Sequence, residues 1–127
     1  MPTALVVADD AWVTNQVRAA LSVGSWQIET LSDPEVVVDR LEESRVDAVL
    51  VDMQVGSKGA MAVVRSIRQA TDELDRPRTV ILLDRSADMF LARRAGASAA
   101  VLKPINAAEL RTAVGMVPAP VLADEEH

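Results

Sequence analysis

The chain has no cysteine and no tyrosine, one histidine at its last position, and three aromatic residues: Trp12, Trp26 and Phe90. Without cysteine there is no disulfide framework, thiolate metal site or cysteine nucleophile. With so few aromatics, the core must be built from Val, Leu, Ile, Ala and Met. His127 stands too far out to act as a phosphodonor or catalytic base. An excess of positive charge is also lacking: 13 Lys and Arg face 19 Asp and Glu, for a net charge of −6. This argues against non-specific binding to nucleic acid, which needs a basic surface. No apolar run approaches the roughly 18 residues of a membrane span, and no basic and apolar leader precedes the first strand. A cytoplasmic protein is the expectation. Half of the 127 residues are hydrophobic, enough for one domain with a real core.

What is present is a repetition. Ala4–Ala8 runs into Asp9 and Asp10, Ala48–Val51 into Asp52, Val80–Leu83 into Asp84, and Ala99–Leu102 into Lys103 and Pro104. Short runs that are apolar at nearly every position read as parallel strands buried on both faces. Parallel strands joined by helices end along one edge of their sheet, where open α/β sheets place a binding crevice. Several carboxylates and one ammonium would converge there, suggesting a cation site beside a phosphate or acyl group.

The strands are expected at about 3–8, 26–30, 47–51, 79–83 and 98–102, and the helices at about 11–22, 34–43, 61–70, 86–95 and 107–116. The second strand is less apolar, as an edge strand would be. Gly24 and Gly96 serve as helix stops, and Asp33-Pro34 and Asn106 as helix starts. The alternation gives a doubly wound (βα)5 architecture, a parallel sheet with helices on both faces.

Taken singly, each acid has a plain structural role: Asp10, for example, can simply cap the helix that begins at Ala11. Jointly, Asp9-Asp10, Asp52, Ala95-Gly96-Ala97-Ser98 and Lys103-Pro104 resemble the receiver domain of bacterial two-component response regulators, over about residues 3–116. The resemblance implies a flavodoxin-like sheet of order 2-1-3-4-5 and a receiver domain over 1–117. It implies Asp52 as phosphoacceptor, with a histidine kinase as donor. It also implies Mg²⁺ held by Asp9, Asp10, Asp52 and the carbonyl of Gln54, Lys103 beside the acceptor, and a cis bond before Pro104. The chemistry suits these residue types, since a carboxylate attacking an anionic phosphoryl group needs its charge neutralised by a hard cation and an ammonium.

The chain departs from that pattern at the switch positions. Where the family carries Thr or Ser after strand four, this chain has Asp84. An ionised Asp about 5 Å from a phosphoryl oxygen repels it by about 3 kcal/mol at an effective dielectric of about 20. The alternatives are that Arg85 neutralises Asp84, that Asp84 is protonated or turned outward, that Ser86 supplies the hydroxyl, or that Asp84 caps the short helix. Three residues before the lysine, where Tyr or Phe is usual, stands Ala100. The proline expected after the acceptor is missing, and residues 56–59 read as a flexible loop.

Three functional readings follow. In the first, the chain is a phosphoacceptor module that signals through protein contacts. In the second, it is an atypical receiver that docks without phosphorylation. In the third, it is a metal-dependent phosphohydrolase, a reading weakened because Gln54 stands where such enzymes need a second acid. Catalysis would in any case be limited to self-catalysed phosphoryl transfer and hydrolysis. The resemblance makes the helix 4–strand 5–helix 5 face the expected surface for a downstream partner or a homodimer. Met89, Phe90 and Met116 are candidates on that surface. Residues 118–127, with Pro118, Pro120 and three acids, read as a tail or the start of a linker.

Overall fold

The computed structural model describes residues 2–56 and 59–115. Five strands, β1 (Thr3–Val7), β2 (Gln27–Leu31), β3 (Ala48–Asp52), β4 (Arg78–Leu83) and β5 (Ala99–Leu102), form one parallel sheet of order β2-β1-β3-β4-β5. The helices between and after them are α1 (Ala11–Leu21), α2 (Val37–Glu43), α3 (Ala60–Ala70), α4 (Met89–Ala95) and α5 (Ala107–Ala113). This is the flavodoxin-like arrangement, with the partly polar β2 at an edge as its composition suggested.

Side chains alternate across a strand, so the apolar runs feed two cores. Val6, Leu50, Leu82 and Val101 pack under α1 and α5 with Val17, Leu21 and Leu110. Leu5, Val7, Val49, Val51, Ile81 and Leu83 pack on the other face with Val37, Val64, Ile67 and Ala92 of α2, α3 and α4. That double burial explains why these strands carry continuous apolar sequence instead of alternation.

Differences from the sequence expectations are confined to element ends: each strand starts or stops one residue away from its expected bounds, and some helices differ more. The helix expected from Ser86 opens with a 3-10 turn, Ser86–Asp88, before α4 begins at Met89. A similar turn, Pro34–Val36, precedes α2, and the carboxylate of Asp33 accepts the Glu35 N–H at 2.9 Å. The last helix ends at Ala113, and Gly115 follows at φ +84°. Met116 and the 118–127 segment lie outside the described residues.

Every helix runs back against the strands, so all five C-terminal ends gather at the sheet edge opposite the charged strand ends. Unpaired helix carbonyls concentrate partial negative charge there. Arginine side chains meet each of them. Arg111 donates to Ala20 O (3.1 Å), Arg40 to Ser44 O (3.3 Å), and Arg76 to Arg68 O (3.1 Å) and Thr71 O (2.8 Å). Arg68 reaches Gly96 O at 3.5 Å, and Arg78 donates to Ala113 O at 2.8 Å. Much of the chain's positive charge is therefore committed to closing helices, away from the acidic edge.

Candidate functional site

Four strand ends build the site. Asp9 and Asp10 follow β1, Asp52 is the last residue of β3, Asp84 follows β4 and Lys103 follows β5. The backbone continues the ladder into the site: Met53 N–H donates to Leu82 O (3.0 Å) and Lys103 N–H to Leu83 O (2.9 Å). Asp52 thus projects from the end of β3 and Lys103 from the residue after β5, on either side of β4.

Asp52 is only 4% exposed, and its Oδ1 accepts from the Lys103 ammonium. Among the described residues, no hydrogen bond falls on Asp52 Oδ2. The same ammonium lies 2.8 Å from Asp84 Oδ1, while Asp84 Oδ2 accepts from the Gln54 side-chain amide at 2.8 Å. Burial works against the charge of Lys103, but hydrogen bonds to Asp52 and Asp84, together with their negative charges, outweigh it and raise the Lys103 pKa. The hydrogen bond from Lys103 lowers the Asp84 pKa; partial burial opposes this and the Gln54 bond assists it. Asp84 is therefore an ionised carboxylate that faces the site.

This decides between the readings left open for Asp84. The position that begins the 3-10 turn is Arg85, with no side-chain capping bond, so Asp84 is not the cap. Arg85 pairs with Asp88 at 3.3 Å, and its positive charge is the smallest of the influences that lower the Asp84 pKa. Ser86 is exposed at the start of that turn, and no hydrogen bond among the described residues joins its hydroxyl to the site.

The acidic pair divides its work. Asp10 is the N-cap of α1, its Oδ1 accepting the Trp12 N–H at 2.9 Å. Asp9 Oδ2 accepts the Gly56 N–H at 3.1 Å, which ties the end of β1 to the loop after β3. Gly56 is at φ +55°, and a Cβ there would lie 3.1 Å from Pro34 Cγ, so any other residue would strain the backbone and crowd Pro34. Among the described residues, no three acidic or histidine side chains are gathered as ligands for one ion. The donor set itself, carboxylates with a nearby backbone carbonyl at Gln54, is of the hard-oxygen kind that suits Mg²⁺. A groove of about 360 Å³ opens beside Asp9 and Asp10, walled by Thr14, Asn15, Thr30 and Ser32.

The peptide bond between Lys103 and Pro104 is cis. Ala100 is half-buried in β5 and contributes to shallow grooves on both sides of that edge strand. Met89 is half-buried against the second core, whereas Phe90 is 54% exposed. Two features escaped sequence reasoning, the Gln54 side chain as partner of Asp84 and the Gly56 amide as partner of Asp9. Both depend on how loops fold back, and no spacing in the chain encodes that.

Three carboxylates held by ion pairs or hydrogen bonds set an acid limit on stability. The Arg40 bond lowers the Glu29 pKa, the Thr3 backbone N–H lowers that of Asp47, and Lys103 lowers that of Asp84. A folded pKa below the unfolded one contributes stability that is fully present above the ordinary carboxylate range and lost as pH falls through the folded value. Urea midpoints should hold steady from neutrality down to about pH 5 and decline below about pH 4. A flat profile to about pH 3, below the ordinary range of both Asp and Glu, would contradict this.

The chain matches the family model described as "Response regulator receiver domain" over residues 4–115. A curated relative, the response regulator MprA of Mycolicibacterium vanbaalenii, is 31% identical over 70 residues, covering 55% of this chain and 30% of the relative. That match spans less than a third of the relative's length. Among solved structures, a response regulator receiver domain protein from Clostridium thermocellum superposes with TM-score 0.78 at 22% identity, covering 91% of this chain and 93% of that one. The receiver domain of the sensor histidine kinase PA1611 from Pseudomonas aeruginosa, solved with a magnesium ion in its active-site cleft, gives 0.76 at 23% identity, covering 91% and 95%. At such identities these structures speak for the fold alone. The family match adds what the fold cannot: this chain belongs to the response regulator receiver domain family of two-component signalling.

Proposed function

We propose that the chain is a phosphoacceptor receiver module in which Asp52 takes a phosphoryl group from a histidine kinase and signals through protein contacts. The observation that carries this reading is the pairing of a nearly buried Asp52 with the Lys103 ammonium at the C-terminal edge of the sheet. Lys103 holds Oδ1 and leaves Oδ2 to attack phosphorus. The new P–O bond forms as the bond to the donor breaks, and the leaving group departs with the electron pair. Released from a phosphohistidine, the imidazole nitrogen takes up one proton from solvent or leaves neutral because the ring's other nitrogen already carries it, whereas acetate leaves acetyl phosphate without one. Lys103 supplies a fixed positive charge against the equatorial oxygens of the transferring group.

Asp9, Asp10, Asp52 and the Gln54 carbonyl would hold Mg²⁺, which when bound neutralises charge on the phosphoryl oxygens. In this reading the module's chemistry serves switching in the cytoplasm and not metabolism. Phe90, exposed on α4, and Met89 would belong to a partner or dimer surface formed by α4, β5 and α5, the face for which the sequence also suggests Met116. The receiver would extend over residues 1–117, with 118–127 as a tail or linker.

One observation favours a second reading, docking without phosphorylation: the Asp84 carboxylate already occupies Lys103, 2.8 Å away. Intact-mass spectrometry after incubation with acetyl phosphate and Mg²⁺ separates the two. A single phosphoryl adduct on the parent chain, absent from Asp52→Asn and absent without Mg²⁺, is the expected result. If the parent and every variant described below stay unmodified, while Mg²⁺ binding is independently measurable, the docking module is the correct description.

A further inference from the structure

Asp84 carries the wrong sign for the chemistry of this pocket, and its geometry shows what it does instead. Lys103 is already matched by Asp52, so a second carboxylate leaves the trio with one net negative charge. Asp84 neither caps the following turn nor pairs with Arg85, which is bonded to Asp88. Its two oxygens are spent on Lys103 and Gln54, at 2.8 Å each. The second of these bonds links the segment after β4 to the segment after β3. The Asp84 side chain is 35% exposed, against 11% for Lys103, so it has an exit to water that the lysine lacks.

We infer that Asp84 is a positioning residue holding, on Lys103, the place that a phosphoryl oxygen must take, so that phosphorylation of Asp52 expels Asp84 and releases Gln54. This rests on the phosphoacceptor reading above and concerns how that site is regulated. Converting the Asp52 carboxylate to an acyl phosphate adds a further negative charge to an already anionic trio. An ionised Asp84 cannot share Lys103 with it at contact distance. Leaving is possible because Asp84 is solvated on its outer side, whereas Asp52 ends β3 and Lys103, directly after β5, is held by its backbone bond to Leu83 O. Departure breaks the bond to Gln54 and frees the two loops from each other. The phosphoryl group is thereby reported through the exit of a carboxylate. The chain needs no inward swing of a hydroxyl or of a large ring, which Ser86 and Ala100 do not supply.

The test compares the initial rate of adduct formation from acetyl phosphate with Mg²⁺ in the parent chain, Asp84→Asn and Asp84→Ser. Each is paired with an Asp52→Asn control and checked for folding by circular dichroism. Both substitutions keep a short polar side chain at a partly exposed position, and two variants guard against the misfolding of one. About a tenfold rise in both, lost in the Asp52→Asn background, is expected. Adduct on the variants but not on the parent would support the inference equally. A purely structural Asp84 would lower the melting temperature and leave the rate unchanged. Equal or slower rates in the variants overturn the inference while leaving Asp52 as acceptor, whereas no adduct on any chain defeats the acceptor reading and the inference together.

Discussion

Lys103→Met should destabilise the chain by about 3 kcal/mol and remove most phosphoryl transfer. The side chain is nearly buried and faces two carboxylates that have no second cation at hydrogen-bonding distance among the described residues. Breaking a buried pair by deleting one partner typically costs about 3–5 kcal/mol, because the surviving charge is left without compensation. Asp52 would suffer that fully and Asp84, which can turn to water, much less, so the lower end applies. Methionine keeps the volume of the aliphatic stem and so separates charge from packing. The check is urea unfolding of the single variant and of the double variant Lys103→Met/Asp84→Asn. Removing the second anion should return part of the loss, and strictly additive effects would mean that the two groups do not interact.

Leu50→Ala is the other large effect. Leu50 is fully buried at the centre of β3, in register with Val6 on one side and Val80 on the other. It packs beneath α1 and α5, and the strands to either side restrict collapse around a cavity. A loss of about 3–4 kcal/mol is expected from the transfer and cavity contributions together. Against a typical total of about 5–15 kcal/mol this is a large fraction, and the melting temperature should fall by about 10 °C. Asp52 is two residues downstream on the same strand, so adduct formation should survive at low temperature and fail as the melting range is approached. A melting temperature unchanged within about 2 °C would mean that the site repacks fully, contrary to what the flanking strands allow.

The strands of this fold were legible because burial on both faces forces continuous apolar runs, whereas a surface helix or a half-solvated strand interrupts them with polar residues at its own period. The edge position of β2 was legible for the converse reason: Gln27, Glu29 and Thr30 cannot all enter a core. Asp52 and Lys103 could be placed together because parallel strands end on the same side. The orientation of Asp84 was not legible. Cap, outward-facing residue and site residue require the same amino acid at the same strand end. Only the position of Lys103 Nζ and the Gln54 amide distinguishes them. The end of the last helix was set by Gly115 at positive φ, before the apolar pattern of the sequence runs out.

The guanidinium groups that close all five helices have a consequence for how the molecule tolerates alkali. Arginine keeps its proton throughout the range in which proteins stay folded, so the rim opposite the site cannot be discharged by raising the pH. Eleven of the chain's 13 basic residues are arginines. Of the two lysines, Lys103 has a raised pKa, and the stability it contributes is present below the ordinary lysine range and lost only as pH climbs through the higher folded value. The scaffold that presents Asp52 is therefore fastened at its far rim by guanidinium charges that alkali does not discharge.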